Sequence, residues 1–265
     1  MKYLKVTNSG LIDTNDLFLI GGTTKKDDHS KIGMFGSGWK YALACLFRNN
    51  IGISIYSGTE KIDVSIKTID YRGSERDIIC INGKETSMTT EMGPTWEPWM
   101  AVREIFSNAI DEGNFTYQVV EDDNTNLIED LIEDQSTIFI EYVEPIQKVI
   151  RNIDDYYDFN RELYTTITTV DDLIIKVYKK SKPDYAVFYK QGIRCNSLRE
   201  WTTYFDFSFS YLLLSEDRIA SYSTMENATK VIFRYADKDF QKELLKELTP
   251  DFGVYLNLTS KKDAI

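Results

Sequence analysis

Histidine is almost missing from this chain: His29 is the single one among 265 residues. Cysteine is scarce as well, and Cys45, Cys80 and Cys195 are odd in number and far apart. Neither a disulfide framework nor a zinc-ligand spacing can be built from them, and this usage suits a reducing, cytoplasmic protein. No window of eighteen residues is free of charge, so no membrane-spanning helix is expected. The opening residues 1–8 lack the apolar run and small-residue cleavage site of a secretory leader. Basic residues are outnumbered, 31 Lys and Arg against 42 Asp and Glu, for a net charge of −11. So acidic a surface repels phosphate backbones unless its basic groups are segregated, and nucleic acid is not expected as a direct ligand.

What is present is length enough for one large domain or two modest ones. Strand-like alternation occurs at residues 53–56, 62–69, 78–81, 117–120 and 138–142, and helical spacing at 38–48 and 97–111. Strands and helices mix without a regular βαβ alternation, which predicts an α+β layered fold with helices on one face of a mainly antiparallel sheet. After Pro145 the character changes: a helix near 146–153, an aromatic stretch, strands near 173–178 and 185–189, and an amphipathic helix at 238–248. The expected division is a first domain over 1–148 and a smaller α+β domain over 149–265. The acidic run 121–134 reads as an exposed loop or short helix between strands, a solvated face.

The richest chemistry lies at residues 104–113. Glu104, Asn108 and Asp111 stand at i, i+4 and i+7 and form one stripe on a helix. Val102, Ile105, Phe106, Ala109 and Ile110 supply its other faces. A carboxylate, an amide and a second carboxylate on one stripe can hold a metal-bound phosphate and activate a water. A second motif is the run at 32–48, where Gly33, Gly36, Ser37 and Gly38 precede an apolar helix with Lys40 in its first turn. Glycine-freed amides at the positive end of a helix make an anion cradle. It is not a P-loop, because Trp39 separates Gly38 from Lys40 and Tyr41 stands where Ser or Thr would bind magnesium. The dinucleotide fingerprint fails as well, lacking its third glycine and preceding βαβ strand. Upstream, residues 6–12 end a short strand in a polar turn, and the small and charged residues 21–30 suit a lid. His29, Asp13, Asp16 and Lys25 read as surface groups, and the four tryptophans as core or rim.

Together these segments resemble the GHKL superfamily of ATP-binding domains, shared by gyrases, histidine kinases and mismatch-repair ATPases, over residues 1–145. The helical stripe is similar to the family's N-box. The resemblance implies Glu104 as the water-activating base, Asn108 as the Mg²⁺ ligand and Asp111 as a polar neighbour of the nucleotide. Residues 33–40 resemble the second glycine box, implying phosphate contacts from Gly33, Gly36, Ser37 and Gly38 and from Lys40 as a catalytic cation. Asn8, Ser9 and Gly10 resemble the first glycine box, with Asn8 where the family has an acidic residue for the adenine amino group and Ile12 where its second glycine falls. An Asn carbonyl can still accept from that amino group, though without charge. The order also departs from the family, since here the glycine boxes precede the N-box. A circular permutation produces that order, the strand at 138–142 then neighbouring residues 4–6 and Thr137 lining the base pocket. The implied fold is a permuted Bergerat-type sandwich.

The second half faintly resembles the transducer domain of gyrase-like proteins, with Lys190 and Arg218 as candidates for a γ-phosphate contact. The implied function is Mg-ATP binding with slow hydrolysis used as a switch. The implied partners are the nucleotide and either another protein or a second copy. The alternative is a non-hydrolysing, nucleotide-gated interaction module, for which a Tyr-, Asn- and Asp-rich composition suits a viral origin.

Overall fold

The computed structural model describes residues 1–18, 37–121, 130–215 and 218–247. The chain forms two compact units, Met1–Asn152 and Ile153–Ile265. The division falls a few residues beyond the expected 148/149 because the helix after Pro145 keeps its turns to Arg151, where Asn152 caps it by donating Nδ2 to the Lys148 carbonyl.

In order, the first unit contains β1 (Lys2–Ser9), α1 (Thr14–Phe18), α2 (Gly38–Arg48), β2 (Ile53–Ser57), β3 (Glu60–Ile62), β4 (Val64–Tyr71), β5 (Ser74–Ile81), β6 (Lys84–Thr89), α3 (Pro98–Glu112), β7 (Thr116–Glu121), β8 (Gln135–Glu141) and α4 (Glu144–Arg151). One antiparallel sheet has the order β3-β2-β8-β1-β7, and a separate meander has the order β4-β5-β6. The architecture is therefore α+β. Leu4 faces Ile140 and Val6 faces Ile138, so the strand at 138–142 does lie beside residues 4–6. β8, the central strand of that sheet, is buried from Ser136 to Ile140 on both sides of its pleat. α3 packs on β1, with α2 and α4 packed on α3. On the opposite sheet face Tyr3 and Tyr56 meet Phe139 edge to face.

The single strand expected at 62–69 is broken at Asp63. There the chain leaves one sheet for the other, fixed by Asp63 N donating to Asn82 Oδ1 (2.8 Å) and Asn82 N donating to Asp63 O (2.7 Å). Hydrophobic alternation continues through such a crossing, so periodicity alone cannot reveal it.

The second unit contains α5 (Ile153–Tyr156), β9 (Leu163–Thr168), β10 (Ile174–Lys190), β11 (Ile193–Phe209), α6 (Tyr222–Tyr235) and α7 (Lys238–Glu247), with sheet order β11-β10-β9. The expected strands at 173–178 and 185–189 are one long strand whose register shifts between Lys179 and Asp184. β11 bends back along it, so that Phe188 lies opposite both Asn196 and Phe207. Gln191 and Gly192, both with φ near the left-handed region (49° and 88°), make the tight reversal between the two strands. Trp201, Phe188, Phe205, Phe207 and Phe209 form the core against Met225, Ile232 and Phe233 of α6 and Phe240 and Leu244 of α7. No described helix is long and apolar enough to cross a membrane.

One arginine fixes the entry to α3. From the end of α2, Arg48 donates Nη1 to the carbonyls of Thr90 (2.8 Å) and Met92 (3.0 Å), and Nη2 to those of Gly93 (2.9 Å) and Trp96 (3.3 Å). A lysine cannot reproduce that planar fork. Arg48→Lys should therefore lower unfolding free energy by about 2 kcal/mol, read from the urea midpoint at unchanged m-value. Nearby, burial pushes the Cys45 thiol above its ordinary value, with Arg48 opposing. The folded chain thus holds this proton more tightly than the unfolded chain. Its contribution is complete below the ordinary thiol pKa of about 8.5 and is lost as pH rises through the folded value. Cys45→Ala should flatten the loss of stability above that pH in a urea titration series.

Candidate functional site

α3 begins with Pro98 in its first turn, where a missing N–H is harmless, and stops at Gly113, whose φ of 93° other residues resist. Its buried positions include Val102, Ile105, Phe106 and Ala109 together with Arg103, Glu104, Ser107 and Asp111. Three of these buried side chains are ionisable, more than packing alone asks of a helix.

The Glu104 carboxylate is 1 % exposed and lies against α2 at Gly38. A Cβ built on Gly38 would stand 1.9 Å from Glu104 Oε2 and 2.8 Å from its Cδ. Gly38 is therefore required by the carboxylate opposite. α2 has no acidic residue in its first turn, and Ser37 at its N-cap makes no side-chain cap. Negative charge brought in from α3 complements the positive end of α2 in their place. On its other side Glu104 pairs with Arg103, Nη2 to Oε1 at 3.7 Å, both side chains 1 % exposed. The guanidinium lies over the rings of Trp99 (5.2 Å) and Trp96 (5.8 Å). Asn108 donates Nδ2 to the Glu104 carbonyl (2.8 Å), and its Oδ1 is an acceptor only.

The far end of α3 meets the turn after β1. Ser9 N donates to Gly113 O (2.9 Å), and Ser9 Oγ donates to Glu112 O (3.0 Å). Gly10, with φ of 91°, sits over Glu112. Asn8 is 4 % exposed on the helix-covered face of β1 and donates Nδ2 to Ser9 O (2.7 Å). Eight residues of α3, about 12 Å, thus separate the contact at Gly38 from the contact at Gly10.

The sequence-derived residues fall as follows. Glu104, Asn108 and Asp111 share α3, with Ser37 and Gly38 at its middle and Asn8 and Gly10 at its end. Lys40 is 2 % exposed and lies about 200° around α2 from Gly38, so it is not on the face that meets Glu104. Thr137 is not brought to the Asn8 side. It stands opposite Thr7 and Tyr56 on the other face of the sheet, because successive residues of β8 alternate faces. Gly33 and Gly36, the expected lid at 21–30, His29 and Lys25 lie outside the described residues. Lys190 and Arg218 belong to the second unit, 2 % and 3 % exposed. Among the described residues no cluster of three His, Cys, Asp or Glu is spaced to hold a metal.

Two residues at this site escaped sequence reasoning. Ser136 occupies the place beside Asn8, accepting from Ile12 N (3.0 Å) and donating to Gly10 O (2.8 Å). Only the register of β8 against β1 puts it there. Arg103 did carry a signal, since Trp99 stands four residues before it on the same helix.

No family model matches the chain, and neither a curated protein nor a solved structure matches it.

The Gly38–Glu104 contact makes a quantitative expectation. Gly38→Ala should destabilise the protein by about 1–3 kcal/mol, because the carboxylate or the helix must shift. With Glu104→Ala already in place, the same change should cost far less, a coupling that a double-mutant cycle in urea unfolding measures.

Proposed function

We propose that the first unit binds Mg-ATP and hydrolyses it slowly to drive a conformational switch, as a circularly permuted, Bergerat-type relative of the GHKL ATP-binding domains. The observation that carries this reading is the Glu104 carboxylate packed against Gly38 at the start of α2. It brings the acid–amide stripe of α3 to a helix end suited to phosphate, across sixty-odd residues of chain. The second contact, between the Asn8–Gly10 turn and the end of α3, would bound the nucleotide at its other end.

In this reading the nucleotide lies along α3. The amides at the start of α2, at Ser37 and Gly38, offset the phosphates. Asn108 Oδ1 would hold the Mg²⁺, which would offset phosphate charge there. Glu104, held in place by its pairing with Arg103, polarises the attacking water. Asn8 Oδ1 accepts from the adenine amino group, and Ser136 holds the turn that presents it. Ligand contacts made only in a closed state shift the protein toward that state, which can alter association with a protein partner or a second copy.

Saturating Mg-ATP at a hundred times its dissociation constant should add about 2.7 kcal/mol to stability, read as a magnesium-dependent rise in Tm. Asn108→Ala should abolish most of that rise. Glu104→Ala should keep it while phosphate release in a coupled assay disappears; unchanged turnover would remove Glu104 from the mechanism. A non-hydrolysing, nucleotide-gated module is the second reading, favoured by the uncharged Asn8 whose Nδ2 is spent on Ser9 O. Tight binding with no phosphate release from the wild type would select it.

A further inference from the structure

The second unit contains a cavity of about 420 Å³ beside the register shift of β10. At its depth lies Asp206, fully buried, whose carboxylate accepts from Arg161, from Lys180 Nζ (2.9 Å) and from Val187 N (3.0 Å). Arg194 is the third half-buried cation of the lining. Among the buried and half-buried groups of the lining one carboxylate faces three cations, so positive charge is in excess where screening is weaker than at the exposed rim. Asp158, outside the lining, bonds the Tyr178 hydroxyl instead.

The donors at the site divide into two kinds. Lys180 spends all three protons, on Asp206 and on the carbonyls of Asp184 (3.1 Å) and Tyr185 (2.9 Å), so it supplies charge without a free N–H. Arg194 spends one of its five N–H groups, donating Nη1 to Asp155 O (2.8 Å). Its remaining fork, Arg161 Nε, the Ser181 and Ser197 hydroxyls and the exposed Lys182 ammonium have capacity for a ligand. We propose that this cavity is a binding site for a small phosphate monoester. A planar guanidinium takes two oxygens of a phosphate at once, and the compact ammonium of Lys182 takes the third.

The outer lining decides between phosphate sources. Asp154, Asp155 and Asp184 are exposed around the cavity. A phosphodiester chain would run its neighbouring phosphates past these carboxylates, whereas a single terminal phosphate reaches the excess positive charge without meeting them. The volume suits a small molecule. This assignment is independent of the nucleotide site in the first unit.

The test titrates the full chain with inorganic phosphate, glycerol 3-phosphate and a short oligonucleotide by calorimetry. Saturable binding of glycerol 3-phosphate is expected in the wild type, with phosphate weaker and the oligonucleotide weakest. Arg194→Ala should weaken the ester by at least about tenfold. The exposed change Lys182→Glu, which leaves the fold intact, should weaken it severalfold, while Asn108→Ala should leave it unchanged. Absence of saturable ester binding, binding indifferent to Lys182→Glu, loss confined to Asn108→Ala, or preference for the oligonucleotide would each overturn the proposal.

Discussion

A carboxylate buried between two helices organises the first unit. Taking the Glu104 side chain out of water costs several kcal/mol unless charge and dipoles replace the lost hydration. Arg103 and the positive end of α2 are what the fold provides. Each requirement then generates another. The carboxylate needs room, so position 38 is glycine. The guanidinium needs bracing at near-zero exposure, so indoles from Trp96 and Trp99 flank it. Trp96 in turn is fixed through its carbonyl, which accepts from Arg48 and Cys45, and through its ring, stacked on Tyr41 at 5.1 Å. Gly93, with φ of 57° and a Cβ position within 3.1 Å of Tyr41 and Trp96 atoms, lets the loop turn that closely. The loop before α3 is thereby held by an arginine fork on one side and an aromatic stack on the other.

The other end of α3 is held by main-chain atoms, which has a different physical consequence. Ser9 bonds the last carbonyls of the helix, groups that no intrahelical N–H can satisfy. Through Ser136 the same turn is bonded to the central strand of the sheet. α3 is thus held by charge near its middle and by backbone hydrogen bonds at its end, and the stripe carrying Asn108 and Asp111 lies between. An arrangement that fixes a helix on both sides of a polar stripe limits how far those groups can drift, which is what a preorganised binding site needs.

Legibility in the sequence followed the range of the forces involved. α2 coincides with the helical spacing at 38–48 because its apolar stripe is local and its start is marked by glycine. α3 was readable for the same reason. β8 was readable from its alternation at 138–142, and the end of β1 from the polar turn that follows a short apolar strand. What could not be read was register. Thr137 and Ser136 differ by one residue, and in a strand one residue is a change of face. The long hairpin of β10 and β11 was hidden for a related reason: at 180–183 the chain departs from its ladder through Lys180, Ser181 and Lys182, whose polarity looks like a loop between two strands. Arg103 sat in plain view, but adjacency to Glu104 is not what pairs them. The pairing arises because both are excluded from water by α2 and the indoles.

The second unit solves its irregularity with the same chemistry used differently. Where a strand slips register, an amide loses its ladder partner, and a buried amide without an acceptor is costly. At Val187 the acceptor is the Asp206 carboxylate, which reaches across from β11. A carboxylate placed there must be neutralised, and Arg161 and Lys180 are drawn to it. Lys180 is spent on the carbonyls of the very segment that bulges, so one ammonium closes the irregular loop and balances the charge that repairs the ladder. Replacing this group by apolar side chains could match its stability, but it would leave Val187 N without an acceptor and the bulge without a tie. The ions are explained by the register shift, and the excess of positive charge that accompanies them gives the neighbouring cavity its affinity for an anion.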